Sequence, residues 1–574
     1  MKHAQTQPPL SPQHTGGSTR VYLPLVSGGS GTPPSLKAAD VVRFLAQAGW
    51  GAAPEDIDPL IQSGLAAWIE TQKALPVSLT RPYLDAIVQD LNTNNPPADS
   101  VPYARPGALT NKSALAINLG TAWMRNIIFG KDQLRQRVTW ALSQIMVTSF
   151  DGLAKLNDTG QSMADYYDTL AQNAFGTFRD LLLAVSVHPV MSFFLSSLGN
   201  EKPVPANNQY PDENYAREVM QLFTIGLWEL NPDGSQKLGA QNNPIPTYDN
   251  KDIENMARVF TGLWFAGKKW PVPGGNFTSS WLADFKLAMF EDQHDKDPKT
   301  IFHGKPWQMV LLANNTGMQD IQAAIDALVN HPNTGPFIAH ALIKFLVTSN
   351  PSSAYVGRVA AVFANNGAGV RGDLFAVVKA LLLDDEARSP ASQSNPRFGK
   401  LQEPLVRVTR MVRAFGAGKT TPDLQWWGAD KSGALDEWPL FAPSVFNFFS
   451  PNFRHLGVLA QAGLTSPEFQ ILDSVTVATV SNKFAEFVDS LLHKRLNGGT
   501  PQFKFDFTTE QGLASTPDAL IDHLNLLLCN GQMSAGTRQR ILAGITNATL
   551  TTVDDRVHLA VWLTAVCPEA AILQ

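Results

Sequence analysis

Four consecutive helical segments between Asp320 and Arg388 constrain the fold most strongly. They read IQAAIDALVNHP, TGPFIAHALIKFLVTSNP, SAYVGRVAAVFANNG and GDLFAVVKALLLDDEAR. Each carries apolar residues at helical spacing, and Pro, Asn and Gly residues separate it from the next. Because short turns place successive helices side by side, this region predicts an antiparallel helical array.

Similar periodicity predicts helices over much of the remaining chain, at residues 35–51, 54–75, 111–128, 131–150, 162–187, 211–230 and 466–492. The segment 267–290 is rich in Gly, Pro and aromatic residues and is the least helical part. We therefore predict an all-α fold, a large multi-helix array with at most a small hairpin or irregular loop near 267–290. The aromatic run FAPSVFNFFSPNF, within residues 436–453, is predicted to lie across the core rather than to form a free linker.

The first 34 residues differ in composition from the rest of the chain. They are rich in Ser, Gly, Thr, Pro and Gln, which bury too little apolar surface to offset the entropy of ordering, so a disordered tail is expected. They contain no basic segment followed by a long apolar stretch, so no intact signal peptide is visible. Residues 35–574 are expected to form a single large helical domain, and a division into two lobes, 35–265 and 285–574, is left open.

Charge and cysteine content exclude several classes of protein. A net charge of −5 over 574 residues provides no basic field to hold nucleic acid or an anionic membrane. No run of about 18 apolar residues predicts a membrane span. Cys529 and Cys567 are the only cysteines and form no CxxC pair. A zinc ribbon or a disulfide scaffold is therefore excluded, whereas a single disulfide is left open.

Polar residues gather on the predicted helix 211–230, PDENYAREVMQLFTIGLWEL, where Asp212 is the expected N-cap. At helical spacing they form two neighbouring rows, Glu213, Arg217 and Thr224 in one and Asn214, Glu218 and Gln221 in the other. Glu213 four residues before Arg217 favours an ion pair on the helix surface. The second row is either a structural polar network or a site, and Glu218 is the sharper site candidate because it has no obvious partner.

Two arginines occur on the predicted helix 131–150, in the run RQRVTWALSQIMVTS. Arginines such as Arg135 and Arg137 most often lie at the protein surface or in an ion pair. They are also predicted partners for Glu213 or Glu218 across the helical bundle, because a guanidinium binds a carboxylate with two hydrogen bonds.

Candidate metal ligands are concentrated in the loop EDQHDKDPKTIFHG. Hard and borderline donors occur there at Asp292, His294, Asp295, Asp297 and His303. Their spacing matches neither an EF-hand nor HExxH. A divalent-metal site with His294, Asp295 and Asp297 as ligands is therefore kept as an alternative to a solvated acidic loop. Asp249 and Asp252, in contrast, have the spacing of an N-cap residue and a first-turn carboxylate, which predicts helix capping.

Six segments of the chain occur in the same order in a known family. They read VVRFLAQAGWGAAPEDI, RQRVTWALSQIMVTS, YYDTLAQNAFGTFRDLLLAVSVHPVM, PDENYAREVMQLFTIGLWELNPDG, TGPFIAHALIKFLVTSNP and APSVFNFFSP. Over residues 38–473 the chain resembles the bacterial family catalogued as domain of unknown function 1800 (DUF1800), most specifically at residues 212–226. The resemblance implies a large, mostly helical, commonly exported protein, often encoded beside a sulfatase-like companion. It carries no catalytic residues over to this chain.

Two functions of different classes follow as hypotheses. In the first, the protein is an exported accessory or partner of the sulfatase-like companion, and the polar rows on residues 212–230 form a buried network or a partner surface. In the second, it is a hydrolase or lyase acting on an extracellular polymer, with a divalent metal as an option. Glu218 would then be the acid/base or a metal ligand, and Glu213 the second carboxylate. Arg217 or Arg137 would stabilise developing negative charge.

Overall fold

The structure is a computed structural model that describes residues 36–86, 112–150, 160–271, 277–415, 435–489, 505–547 and 549–574. The tail predicted for residues 1–34 lies outside these ranges. The described residues are predominantly helical, with a few short antiparallel strand pairs, which confirms the predicted all-α class. No helix within them is long and apolar enough to cross a membrane.

The helices of the first described third are α1 Ala38–Ala48, α2 Pro54–Ser63, α3 Leu65–Ala74, α4 Lys112–Phe129, α5 Gln133–Ile145, α6 Gly160–Asn173, α7 Phe178–Ser186 and α8 Pro189–Phe194. Two predicted helices, 54–75 and 162–187, are each divided in the structure, the second at Gly176, where the sequence leaves a kink open. Gly64 adopts φ 82° and separates α2 from α3, since a left-handed residue interrupts the helical hydrogen bonds. A turn around Gly176 similarly separates α6 from α7.

The middle of the chain contains the short strands. Its elements are α9 Asn214–Gln221, α10 Asn250–Val259, β1 Leu263–Phe265, α11 Trp281–Asp284, β2 Leu287–Met289, β3 Lys299–Ile301 and β4 Met309–Leu311. Strands β1 and β2 are antiparallel, with Trp264 opposite Ala288, and they enclose the segment for which a hairpin was predicted. Strands β3 and β4 form a second antiparallel pair. At the start of α10, Asp249 and Asp252 form the predicted capping box.

The predicted helical array follows as α12 Gly317–Asn330, α13 Thr334–Leu346, α14 Ser353–Ala364 and α15 Leu374–Leu383. Helix α13 packs against α14, and α14 packs against α15. The N-caps Thr316, Ser352 and Asp373 each accept a backbone hydrogen bond from the first turn, which fixes where these helices begin. The capping and turn residues in the sequence therefore predict this part of the fold correctly.

The remaining elements are α16 Asp385–Arg388, α17 Pro390–Gln393, β5 Lys400–Leu401, α18 Pro404–Ala414, α19 Val458–Gln461, α20 Ser474–Asp489, α21 Thr508–Leu513, α22 Pro517–Cys529, α23 Ala535–Asn547, α24 Val553–Val566, α25 Pro568–Ala571 and β6 Ile572–Leu573. The last strand, β6, pairs antiparallel with β5, which sets Leu573 opposite Lys400.

Helix α5 lies at the centre of the molecule. Every residue from Gln133 to Ile145 except Arg135 is buried, and α5 packs against α1, α3, α4, α6 and α13. Its Trp140 is part of an aromatic cluster, with the ring centroids of Trp50 and Trp123 6.1 and 5.5 Å away. Since this helix is buried on all sides, each of its polar side chains needs a partner inside the protein.

Within the segment 435–473, the aromatic stretch 436–453 that was predicted to lie across the core has several buried side chains. Trp438, Leu440, Phe448 and Phe449 are all buried, and the Phe448 ring stacks on Trp140 at a centroid distance of 6.3 Å. Trp438 also lies against α4 so closely that a Cβ placed on Gly120 would be 2.2 Å from its ring. Only glycine fits at this crossing.

Replacing Gly120 with alanine therefore tests how tightly the segment is held. Gly120→Ala should destabilise the protein by about 1–3 kcal/mol, the usual cost of overpacking a core. Gly512→Ala is the matched control because a Cβ there meets no atom within 4 Å; it should leave stability unchanged or raise it by about 0.5–1 kcal/mol. Chemical denaturation measures both variants, and equal stabilities would contradict the close packing of 435–473 on α4.

Candidate functional site

Three glutamates from different parts of the chain converge in the interior beside α5. Glu403, Glu437 and Glu468 are each at most 2% exposed, and they lie with Arg137 and Lys400, which are also buried. We call these five residues the glutamate cluster. Arg137 comes from α5, Lys400 and Glu403 come from β5 and the start of α18, and the other two glutamates come from the segment 435–473. Ionisable groups buried this deeply occur only with compensating partners or altered protonation.

Glu403 is the best-partnered carboxylate of the cluster. Its Oε2 accepts a hydrogen bond from Trp140 Nε1 at 2.6 Å and another from Gln144 Nε2 at 3.2 Å. Its Oε1 lies 3.4 Å from Lys400 Nζ and 3.9 Å from Arg137 Nη2. Burial alone would raise the pKa of Glu403, but the two cations and two hydrogen bonds outweigh it and hold this pKa below its usual value. Glu403 is therefore the ionised member.

Glu437 has the opposite environment. Its Oε2 accepts a long hydrogen bond of 3.4 Å from the Leu405 amide, and its Oε1 has no donor among the described residues. The carboxyl faces that of Glu403 within hydrogen-bonding range. Burial, followed by the negative charge of Glu403, raises the pKa of Glu437 well above its usual value. Burial and the neighbouring negative charge thus both favour the protonated form of Glu437 beside an ionised Glu403.

Glu468 and Lys344 complete the charged interior. Glu468 Oε1 lies 3.0 Å from Lys400 Nζ, at an angle that makes an ion pair but not a hydrogen bond. Burial raises the pKa of Glu468, and the neighbouring Glu403 adds to this rise. Burial also lowers the pKa of Lys344 to about 8. Its Nζ donates to the Pro451 carbonyl and so ties α13 to the segment 435–473. The site therefore contains several groups that titrate outside their ordinary ranges.

Local structure explains how these side chains reach one point. Glu403 occupies the N-cap position of α18 and precedes Pro404, and this extended conformation before a proline is where a helix begins. Lys400 is the first residue of the β5–β6 ladder, and its Nζ also donates to the Phe345 carbonyl at 2.8 Å. Asn447 donates to Gln144 Oε1 at 2.9 Å, which fixes the segment 435–473 against α5.

Arg137 therefore lies in the glutamate cluster and not beside the carboxylates of α9. Its Nη2 donates to the Phe345 carbonyl at 3.2 Å in addition to its contact with Glu403. Its Nε and Nη1 are buried without a hydrogen-bond partner in the described structure. Arg135 instead donates to the Ala171 carbonyl and covers the Phe175 ring. The predicted pairing of these arginines with Glu213 or Glu218 is wrong.

The helix predicted over residues 211–230 is shorter in the structure, where α9 ends at Gln221. Gly226, at φ 70°, donates its amide to the Met220 carbonyl, and the chain then enters extended bridges that set Trp228 opposite Pro246. The polar rows consequently extend only over the first two turns. The N-cap of α9 is Glu213 and not the predicted Asp212, whose Oδ1 accepts a hydrogen bond from the Asn214 amide at 2.8 Å from one position earlier.

Of the predicted catalytic residues on α9, two form an ordinary surface pair. Glu213 and Arg217 lie 3.4 Å apart with side chains 43% and 42% exposed. Glu218 differs, because it is buried, its Oε2 has no hydrogen-bond partner, and burial raises its pKa despite the neighbouring Arg217. Gln221, on the same helix as Glu218, accepts a hydrogen bond at its Oε1 from the Tyr248 hydroxyl at 3.0 Å. No second carboxylate joins Glu218 in these contacts, and its catalytic role stays a prediction.

The three candidate metal ligands have other partners. His294 Nε2 lies 3.3 Å from Asp320 Oδ2, and the Asp295 carboxylate accepts from Arg258 Nε at 2.6 Å. Asp297 is exposed, and its amide donates to Asp295 Oδ1. Across the described ranges no group of three or more His, Cys, Asp or Glu side chains has a geometry that would hold a metal ion. The metal site stays a prediction without a ligand cluster to support it.

Sequence reasoning missed Glu403, Glu437 and Glu468 as site residues. Each lies next to a proline or an aromatic residue in a short run with few other charges, in LQEPL, LDEWPL and SPEFQ, where only Glu437 has a second acidic residue beside it, Asp436. A carboxylate within a largely apolar run was the available signal of a site residue. Such a residue is either exposed or paired with a residue far away in the sequence.

Comparison with known proteins gives a family and no characterised relative. The sequence model of a family described as "Protein of unknown function (DUF1800)" matches residues 43–572. The match extends well beyond the residues 38–473 over which the resemblance was evident. No curated protein and no solved structure matches the chain.

The protonation of Glu437 makes a testable contribution to stability. Since its pKa is raised on folding, the folded protein binds more protons than the unfolded chain, and this stabilisation is lost as the pH rises above the ordinary glutamate pKa of 4.5. Glu437→Gln keeps a donor toward Glu403 but removes the titration. Denaturation curves should show the variant gaining stability relative to the wild type as the pH rises from about 4 to about 8.

Glu213→Gln is the control for that experiment because it removes a carboxylate that is solvated and paired on the surface. Its stability relative to the wild type should change much less with pH. A flat or falling difference for Glu437→Gln would contradict a proton held between Glu403 and Glu437.

Proposed function

The chain belongs to the DUF1800 family, whose function is unknown, and from the glutamate cluster we propose that it is an acid–base enzyme, a hydrolase or a lyase. The observation that carries the proposal is the facing pair of Glu403 and Glu437. Two neighbouring carboxyls whose pKa values are shifted in opposite directions can supply a base and an acid at one site. Burial beside two cations strengthens the electrostatic interactions that a substrate would meet at this point.

Each residue of the pair has a definite role in this proposal. Glu437 donates its proton to the departing group, and Glu403 accepts a proton from water in hydrolysis or from the substrate carbon in elimination. The proton count is conserved, because one proton leaves Glu437 and one arrives at Glu403. Arg137 and Lys400 stabilise negative charge that develops on the substrate, and Arg137 has two guanidinium nitrogens without protein partners for this purpose.

Access to the pair requires a movement. All three glutamates are buried among the described residues, and the segment 435–473 supplies two of them. A substrate therefore reaches the pair when this segment moves away from α5. The hydrogen bond between Asn447 and Gln144 and the stacking of Phe448 on Trp140 are the contacts that such a movement would break. An extracellular polymer as the substrate stays a prediction from the family resemblance.

The glutamate cluster supports an enzyme better than α9 does. Glu218 has a buried carboxyl with a raised pKa, but Glu213, its predicted second carboxylate, is half-exposed and paired with Arg217. General acid–base catalysis needs two groups that reach one substrate atom pair. In this proposal Glu403 and Glu437 act on one substrate atom pair once the segment 435–473 has moved.

A second candidate function is the partner role implied by the resemblance to exported proteins with a sulfatase-like companion. Large apolar side chains are exposed along one stretch of the chain, at Phe446, Leu456, Val458, Val475 and Val477. Leu456 and Val458 are 86% and 80% exposed and flank the start of α19, on a segment fastened at Thr465 to Asn350. Exposed apolar side chains on a firmly held segment favour a protein partner.

Paired substitutions test the enzyme proposal. The chain should be screened for release of product from a panel of polysaccharides, glycosides and esters. Glu403→Gln and Glu437→Gln should each lower turnover by about 10²–10⁴-fold, the usual contribution of a general acid or base. Glu213→Gln should retain wild-type turnover, while Glu218→Gln reports on the alternative site. Full turnover in both cluster variants would exclude the glutamate cluster as the catalytic centre.

The partner role is tested by recovery of a companion protein from the native host. Leu456→Ser and Val458→Ser should reduce the amount of a co-purifying sulfatase-like protein, because they remove the apolar surface it would cover. Val553→Ser, also at an exposed apolar position but at the start of α24, is the control and should leave recovery unchanged. Equal recovery in all three variants would count against this surface.

A further inference from the structure

The two cysteines of the chain meet in the C-terminal helices. Cys529 is the last residue of α22, and Cys567 lies between α24 and α25. Their Sγ atoms are 3.6 Å apart, and both side chains are buried. The chain contains no other cysteine, so neither has an alternative intramolecular partner. Two sulfurs in van der Waals contact need only a small further approach to bond.

We propose that Cys529 and Cys567 form a reversible disulfide that fastens α22 to the C-terminal segment 568–574. The residues are 38 positions apart in sequence, so the bond would close a loop that is long enough to restrict the unfolded chain substantially. Helix α22 already packs against α24 and α25, so the bond would join elements that are adjacent before it forms. The inference is independent of the proposed enzyme function.

The environments of the two thiols assign an order to the reaction. The hydrogen bond from Cys529 lowers the pKa of Cys567, with a further hydrogen bond from the Ala570 amide, whereas the same contact and burial raise the pKa of Cys529. Cys567 is also the less buried of the two thiols, 7% against 0% exposed, and is therefore the one that a disulfide from solution reaches first. Its sulfur attacks a small-molecule disulfide such as oxidised glutathione and releases one glutathione thiolate.

The second step completes the bond. Cys529 loses its proton and attacks the Cys567 sulfur of the mixed disulfide, which releases the second glutathione thiolate. Two protein thiols are oxidised to one disulfide, one glutathione disulfide is reduced to two thiols, and the two electrons and two protons pass to glutathione. Because Cys529 is fully buried, the exchange takes place while the C-terminal segment is open, during folding or local unfolding.

The fastened segment also supports the edge that carries Lys400. Strand β6 pairs with β5, the Gln402 amide donates to the Ala571 carbonyl at 2.8 Å, and Arg43 holds the carbonyl of Gln574. A disulfide at Cys567 would anchor the residue immediately before this segment. The reduced protein would rely on these polar contacts alone to keep the segment in place.

The experiment uses the 574-residue chain, reduced, unfolded and refolded with either reduced or oxidised glutathione. After acid quenching and denaturation, N-ethylmaleimide labels every free thiol, and intact mass counts the labels. Oxidised wild-type protein should carry no maleimide and no glutathione, and its digest should contain a peptide joining Cys529 to Cys567. Reduced protein should carry two maleimides and melt several degrees lower.

The variant Cys529→Ser/Cys567→Ser is the matched control, and its melting temperature should be the same under both conditions. Two free or glutathionylated thiols in oxidised, correctly folded wild-type protein would overturn the proposal. A disulfide-linked form that melts no higher than the reduced form would also overturn it, because a fastening bond must stabilise the elements it joins.

Discussion

The carboxylate of Glu403 fixes the relative positions of three separate parts of the chain. It is buried and accepts hydrogen bonds from Trp140 and Gln144, while Lys400 supplies the nearest positive charge. Removing one partner of a buried ion pair usually costs about 3–5 kcal/mol, since an unpaired charge remains in a medium of low polarity. Glu403 therefore joins helix α5 to the β5–α18 junction, and the segment 435–473 is tied to the same point because Lys400 also pairs with Glu468 and Gln144 accepts from Asn447.

The charge of Glu403 also affects the protonation of the neighbouring buried carboxyl. Lys400 and Arg137 favour the ionised form of Glu403, and its charge then favours the protonated form of Glu437. The chain thus contains two neighbouring glutamates whose pKa values are shifted in opposite directions, which burial and two cations produce without any special residue type. The buried Glu218 on α9 has a raised pKa as well, but it has no such neighbour.

Features governed by nearby residues were predictable from the sequence. The helices α12 to α15 follow their caps and turns, Asp249 and Asp252 form a capping box, and Glu213 pairs with Arg217 one turn away. The glutamate cluster was not predictable, because Trp140 and Glu403 are 263 positions apart and Gln144 and Asn447 are 303 apart. Hydrophobic periodicity predicts which face of a helix is buried. It does not identify the residues, distant in the sequence, that pack against this face.

Infrared spectroscopy of the wild-type protein and Glu437→Gln at neutral pH tests the central claim most directly, because the carbonyl stretch of a protonated carboxyl is separate from that of a carboxylate. The account predicts a protonated-carboxyl band in the wild type that is absent from Glu437→Gln and unchanged in Glu213→Gln. Loss of a carboxylate band instead, with no protonated band assigned to Glu437, would show that the pair shares no proton and would contradict the account.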